Sequence, residues 1–159
     1  MKTVGNPHER FEEDALRLMR AIRLVAELDF ALDGDTAAAI KEKASNLSHV
    51  SRERVRDEFI RILNSKQPMV ALVLAQQLGL LEVISPDLVR GIGIDQNQAH
   101  SYAVFEHLMR ALQHAADKDW PFDVRLAALY HDVSKPETRR WSEAKKDWTF
   151  HGHEVVGAR

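Results

Sequence analysis

Apolar residues recur at three- and four-residue intervals along almost the whole chain, and no other periodicity persists. Leu16, Met19, Ile22, Val25 and Ala26 form one such stripe, and Val55, Phe59, Ile62 and Leu63 form another. That spacing places apolar side chains on one face of an α-helix. The expected fold class is therefore all-α. A length of 159 residues permits one compact domain or two small helical subdomains sharing a core.

Punctuation divides the pattern into elements. Asn6-Pro7-His8-Glu9 supplies an N-cap, a proline at the first helical position and an acid in the first turn, which predicts a helix start. That helix is expected to run to about Phe30, with Arg10, Asp14 and Arg17 sharing a face away from the apolar stripe. Asp33-Gly34-Asp35 reads as a turn, Thr36 to Ala44 as a short helix, and Ser51 as the cap of the next. Pro68 opens a helix ended by Gly79, and residues 80–86 read as a packed turn into another short helix. The two glycines and polar residues of Gly91 to Gln98 predict a boundary between subdomains 1–92 and 93–159. Beyond it, Ser101 to Ala116 forms a helix, and Pro121 starts another ending near Asp132, which Pro136 stops. Residues 139–150 read as a loop or short hairpin before a last helix from His153.

With 45% hydrophobic and 29% charged residues the chain is too apolar for disorder. A formal charge of −2 argues against indiscriminate nucleic-acid binding, so any RNA contact has to be local. The absence of cysteine excludes disulfides and thiolate metal sites and fits a cytoplasmic setting. There is no long apolar run for a membrane span and no signal-peptide pattern. Met1-Lys2-Thr3-Val4-Gly5 leads directly into a charged helix, which is expected of an added start on a piece of a longer chain.

Two groups of residues carry chemistry. A hard divalent cation acting on a phosphoester needs nitrogen and oxygen ligands and open positions for water and substrate. His107, His131 and Asp132 offer that mixture. Neighbouring helical side chains diverge by roughly 100°, so the His131-Asp132 doublet serves one ion only at a helix end. Lys135 and Arg139 stand where they can neutralise a phosphate, and His153 is a nearby proton-transfer or supporting group. His8, His49 and His114 read as ordinary surface or capping residues, while His100 and His151 stay undecided. In the other group, Asp14 and Arg17 offer an acceptor beside a donor, the edge that complements cytosine and adenine but not uracil or guanine. On spacing alone an ordinary intrahelical ion pair is the favoured reading, since such pairs are common. Arg20 and Arg23 extend a basic line toward triphosphate or RNA backbone, although Glu12, Glu13 and Glu27 make a solvated mixed-charge face the alternative.

The segment His131-Asp132-Val133-Ser134-Lys135-Pro136-Glu137-Thr138-Arg139, followed by Thr149-Phe150-His151-Gly152-His153-Glu154, resembles the HD domain attached to bacterial tRNA nucleotidyltransferases and poly(A) polymerases. The resemblance implies that His107, within Val104-Phe105-Glu106-His107, is the first metal ligand and that His131 and Asp132 are the second and third. The family's fourth ligand, a later aspartate, has no counterpart before Arg159, and Ser134 stands where the family has glycine. The implied activity is phosphohydrolysis of cyclic or nucleotide phosphates with Mg²⁺, Mn²⁺, Ni²⁺, Fe²⁺ or Zn²⁺.

The segment from Gly5 to Arg23 resembles the neck helix of class II nucleotidyltransferases, with Glu13, Asp14 and Arg17 on their Glu-Asp-x-x-Arg element. Ser51-Arg52-Glu53-Arg54-Val55 with Glu58 resembles their Ser-x-Glu-Arg element, in which the arginine braces the nucleotide-reading helix. This resemblance implies CTP and ATP selection by Asp14 and Arg17, supported by Arg54, Glu13 and Arg20, and helices that hold a tRNA or other RNA 3′ end. Nucleotidyl transfer needs a carboxylate pair on a strand and a glycine loop, and neither occurs in this sequence. The expectation is an all-α neck and body followed by a truncated HD domain, without transferase activity alone. The rivals are a free-standing HD phosphohydrolase and a non-enzymatic helical RNA-binding module.

Overall fold

The computed structural model describes residues 1–98 and 101–158, and these form a helical body with a single two-stranded hairpin. The predicted all-α class is what the chain adopts. Among the described residues, no helix is long and apolar enough to cross a membrane.

The first helix, α1, covers Pro7–Glu13, with the Asn6 side chain accepting from the His8 N–H at 3.0 Å. It does not continue to Phe30. Asp14 is extended, and its Oδ1 accepts from the Leu16 N–H at 3.1 Å, so the chain restarts as α2, Leu16–Leu28. An aspartate whose carboxylate takes a backbone N–H two residues on competes with helix continuation. The break lets Phe11 enter the core while Leu16, Met19 and Ile22 remain on the buried stripe of α2.

Asp33, read as part of a turn, is the N-cap of α3, Gly34–Lys43, and accepts from the Thr36 N–H and hydroxyl. A 3₁₀ segment, Ala44–His49, leads to α4, Arg52–Leu63. Ser51 occupies the N-cap position of α4 but makes no side-chain capping bond. Helix α5, Pro68–Gln77, ends as expected at Gly79, whose φ is +76°. The Leu80 N–H reaches the Ala75 carbonyl at 2.8 Å and the Gly79 N–H that of Gln76 at 3.1 Å, satisfying the last turn of the helix. Two single-turn helices follow, α6 (Leu81–Ile84) and α7 (Pro86–Val89).

Helix α8 spans Val104–Asp117, three residues later at its start than the sequence pattern suggests. The Ile94 and Gly91 carbonyls accept from the Val104 and Phe105 N–H groups, closing the N-terminus there. Helix α9, Phe122–Tyr130, stops immediately before His131-Asp132, and α10, Lys135–Thr138, follows after one turn. The hairpin pairs β1 (Arg140–Ser142) with β2 (Asp147–Thr149) in antiparallel register, with Trp141 opposite Trp148. Helix α11, His153–Gly157, completes the described chain.

One hydrophobic cluster runs through the body, from Leu18, Met19 and Ile22 of α2 to Leu108 and Leu112 of α8 and Leu129 of α9. Buried Arg125 joins α9 to the end of α4. Its guanidinium donates to the carbonyls of Leu63, Ser65 and Trp120 at 3.0, 2.9 and 2.8 Å. Without that group these carbonyls lose their donor in a water-poor site. Arg125→Ala is expected to lower the unfolding free energy by about 3 kcal/mol, read from urea denaturation. An unchanged midpoint would show that α9 is held by apolar packing alone.

Candidate functional site

The end of α9 places His131 and Asp132 in the turn before α10, which is the helix-end setting that lets adjacent side chains converge. Asp132 is buried, and its Oδ2 meets His131 Nε2 at 3.2 Å, His107 Nε2 at 3.4 Å and Lys135 Nζ at 2.7 Å. His107 comes from the first turn of α8, and its Nε2 lies 3.1 Å from that of His131. On the other side, Asp132 Oδ1 meets His153 Nε2 at 3.3 Å. Five residues named from the sequence thus share one centre: His107, His131, Asp132, Lys135 and His153.

Backbone carbonyls orient the rings. His131 Nδ1 lies 2.9 Å from the Ala128 carbonyl, and His153 Nδ1 lies 2.7 Å from that of Phe150. With Nδ1 donating to these carbonyls, each Nε2 faces Asp132: a neutral ring offers a lone pair to a cation there, and a protonated His131 offers its N–H to the carboxylate. Ligand atoms of His107, His131 and Asp132 all fall within 4.8 Å of one another. Converging imidazole and carboxylate lone pairs repel unless a cation or protons separate them, so the donor set fits a divalent ion. Burial alone would raise the Asp132 carboxyl, but hydrogen bonds from His131 and Lys135 hold it well below the usual carboxylate range. The same hydrogen bond to Asp132 raises His131, against the opposing effect of burial.

Lys135 is as buried as its partner and also donates to Gln96 Oε1 at 2.6 Å. Gln96 carries no signal in the sequence, because it lies in a glycine-bearing connection and acts only through the folded chain. Arg139 stands apart from the Asp132 cluster. Its guanidinium lies 3.7 Å from the centre of the Trp148 ring, and its buried Nε has no hydrogen-bond partner among the described residues. Ser134 adopts φ −91°, so a side chain is accommodated without strain where the resembling family has glycine. Its hydroxyl donates to the His153 carbonyl and ties the turn to α11. Of the other histidines, His8 meets Glu42, His114 packs edge-on against Trp120, and His151 is exposed. His100 lies outside the described residues.

The second group is arranged differently from the helical-face expectation. Arg54 of α4 reaches Asp14, with Nη2 3.3 and 3.4 Å from the two carboxylate oxygens. Arg17 instead binds Glu13 Oε2 at 2.6 Å and the Arg10 carbonyl at 2.8 Å. Its hydrogen bond holds the Glu13 carboxyl below its ordinary value. Because the chain breaks at Asp14, Arg17 and Asp14 do not form the intrahelical pair that their spacing allows. Asp14, Glu13 and Arg54 line an open groove of about 410 Å³ together with His49 and Asn46. Arg20 and Arg23 converge on buried Glu58 of α4 at 3.4 and 2.8 Å, and Arg23 also binds Glu27 at 2.6 Å. The Glu27 bond, with Glu58, raises the Arg23 guanidinium further. The basic line is thus largely engaged in bracing α2 against α4.

Comparisons with known proteins add two family matches. Residues 29–91 match a family described as the probable RNA and SrmB-binding site of polymerase A, and residues 98–159 match the HD domain. A CC-adding tRNA nucleotidyltransferase of Thermus thermophilus is 38% identical over 160 residues, covering 94% of this chain and 36% of its own length. An A-adding tRNA nucleotidyltransferase of Deinococcus radiodurans is 36% identical, with the same coverage of each. A CCA-adding enzyme of a Geobacillus species is 50% identical over 78 residues, which is 49% of this chain and 19% of the relative.

If the Asp132 cluster takes the ion, Ni²⁺ raises the melting temperature of the chain by mass action. His131→Ala is expected to abolish that rise, and His114→Ala to preserve it. A rise that survives His131→Ala places the ion elsewhere.

Proposed function

This chain belongs to the tRNA nucleotidyltransferase and poly(A) polymerase family, and we propose that it supplies the base-selecting and RNA-holding part of such an enzyme together with an HD-type metal site. It spans about 36% of the length of the two relatives that match nearly all of it. The observation that carries the reading is the Arg54–Asp14 contact, which joins residues forty positions apart across α4 and the α1–α2 break. It fixes a carboxylate acceptor at the edge of an open groove.

In this reading Asp14 accepts from the exocyclic amine of cytosine or adenine, and Arg17 donates to the adjacent ring nitrogen. Arg17 has to leave Glu13 to do so. Exposed ion pairs hold weakly, so an incoming base displaces this one readily. Glu13 then serves to park Arg17 between turnovers, and Arg54 keeps the Asp14 carboxylate in place. Arg20 acts through Glu58 by bracing α2, which is a positioning role. CTP and ATP are the proposed nucleotides, and tRNA is the proposed partner, held by shape and backbone contacts along α3 to α7. What supports a boundary near residues 92–93 is that one family match ends at 91 and the other starts at 98.

A second reading, metal-dependent phosphohydrolysis, is favoured by the convergence of His107, His131 and Asp132. These three would hold a divalent ion, which supplies Lewis-acid activation of a phosphate oxygen and of water. Mg²⁺, Mn²⁺, Ni²⁺, Fe²⁺ and Zn²⁺ all suit nitrogen and oxygen donors to some degree. Lys135 neutralises phosphate charge, whereas Arg139, stacked on Trp148, stands outside this cluster, and His153 holds or passes a proton beside Asp132.

Both readings are directly testable. In a longer protein that carries this segment with a transferase domain, the double change Asp14→Ala, Arg17→Ala is expected to reduce discrimination of CTP over UTP by at least about a hundredfold. Selection that survives it removes the template role. For the HD site, turnover of 2′,3′-cyclic AMP with Mn²⁺ or Ni²⁺ is expected and should vanish in His131→Ala. Equal turnover in the variant removes the phosphohydrolase role.

A further inference from the structure

Beside the Asp132 centre lies a polar groove of about 390 Å³ that no role so far described uses. Its walls are residues 95–98 and 101–103 on one side and the hairpin on the other. Three aromatic rings line it: Tyr102, Trp141 and Trp148. Trp141 and Trp148 meet edge to face with centroids 5.3 Å apart. Cations already cover one face of two of the rings, Arg139 on Trp148 at 3.7 Å and Arg110 on Tyr102 at 4.1 Å. Trp141 has no such cover among the described residues and is 48% exposed. About half of the Trp141 surface is therefore open to a planar group.

The groove also holds an unmet hydrogen-bond demand. Asn97 Oδ1 is buried without a partner among the described residues. A buried acceptor in that state is unfavourable until a donor arrives. The two walls are joined, since the Gln98 N–H donates to Asp147 Oδ2 at 3.0 Å. The floor leads to the metal centre through Gln96, whose Nε2 donates to the Tyr102 carbonyl while its Oε1 accepts from Lys135, the partner of Asp132. Arg139 belongs to the hairpin side of the groove, stacking on Trp148, and its buried Nε has no partner among the described residues.

We propose that this groove is a base-stacking subsite of the Asp132 centre, taking the nucleobase of a nucleoside phosphate on Trp141. The Asn97 side chain turns its shielded Oδ1 to accept from a donor on the base edge, and the phosphate points toward the Asp132 centre. Aromatic stacking of an unpaired base is tolerant of base identity, and a polar rim with few hydrogen bonds matches that use. The inference rests on the phosphohydrolase reading for what happens to the phosphate, but the stacking itself can be measured without turnover. The occupant is a free nucleotide or the last nucleotide of an RNA, which share this chemistry.

Titration of the intact chain, without added metal, with AMP, with ribose 5-phosphate and with a short RNA ending in a 3′-phosphate tests the subsite by tryptophan fluorescence and calorimetry. AMP is expected to bind about tenfold or more tightly than ribose 5-phosphate, which has the phosphate and sugar but no base. Trp141→Ala should remove that advantage while leaving ribose 5-phosphate binding unchanged, and Trp141→Phe should restore it. Asn97→Ala should weaken AMP binding without lowering the melting temperature, which a purely structural amide would not permit. Tighter binding of the RNA than of AMP assigns the site to RNA ends, and equal binding to free nucleotides. AMP and ribose 5-phosphate binding equally, no saturable AMP binding up to millimolar concentration, or an AMP advantage that persists in Trp141→Ala overturns the proposal. Metal-dependent turnover without base preference would sink the subsite and leave the phosphohydrolase reading intact, and base-dependent binding without turnover would do the reverse.

Discussion

A buried carboxylate has to be compensated wherever it occurs, and Asp132 organises the second half of the chain through that requirement. Removing its charge from water is unfavourable by several kcal/mol unless donors or cations surround it. Here the compensating groups come from the start of α8, the end of α9, α10 and the start of α11. Those elements are far apart in sequence, so one acid dictates how they close on one another. Gln96 extends the arrangement by holding Lys135 from the opposite side. The same circumstance makes the cluster suited to a metal, because His131, already oriented by the Ala128 carbonyl, needs little reorganisation, and His153 beside it is oriented by that of Phe150.

Much of this was legible in the residues themselves. Asn6-Pro7, Pro68 and Gly79 act through local backbone chemistry, and each marks a boundary where expected. The hairpin of residues 140–149 was anticipated only as one of two alternatives, since three-residue strands are too short for alternation to separate from a loop. The break at Asp14 was not anticipated, because the apolar spacing continues through it and only the aspartate's own bond to the Leu16 N–H reveals it. At the Asp132 cluster, the residues that converge were readable, whereas Gln96, the orienting carbonyls and the Arg139–Trp148 stack were not. Those contacts depend on tertiary placement, which spacing along a helix does not encode.

Charge pairing at the other end of the molecule follows a different logic. Four arginines named along the first two helices look alike in sequence, yet Glu58 divides them. Buried and reaching both Arg20 and Arg23, it commits those two to packing α2 on α4. Arg10 and Arg17 are left sharing Glu13 at the surface. A sequence argument that extends a basic line from Arg17 through Arg23 thus overcounts what is open to a ligand.

The contrast between the two regions bears on how each is used. A group meant to hold an ion for long periods benefits from burial, because the low-dielectric setting strengthens every attraction and makes an unpaired state unfavourable. Asp132 has that setting. A group meant to meet a new base at each cycle needs partners that let go, and exposed pairs screened by water do so. Arg17 and Glu13 have side chains 31% and 50% exposed, and the Asp14 carboxylate that Arg54 steadies is 26% exposed. On the proposed reading, exposure at Asp14 and Arg17 is therefore a condition of repeated base selection, as burial at Asp132 is a condition of holding an ion.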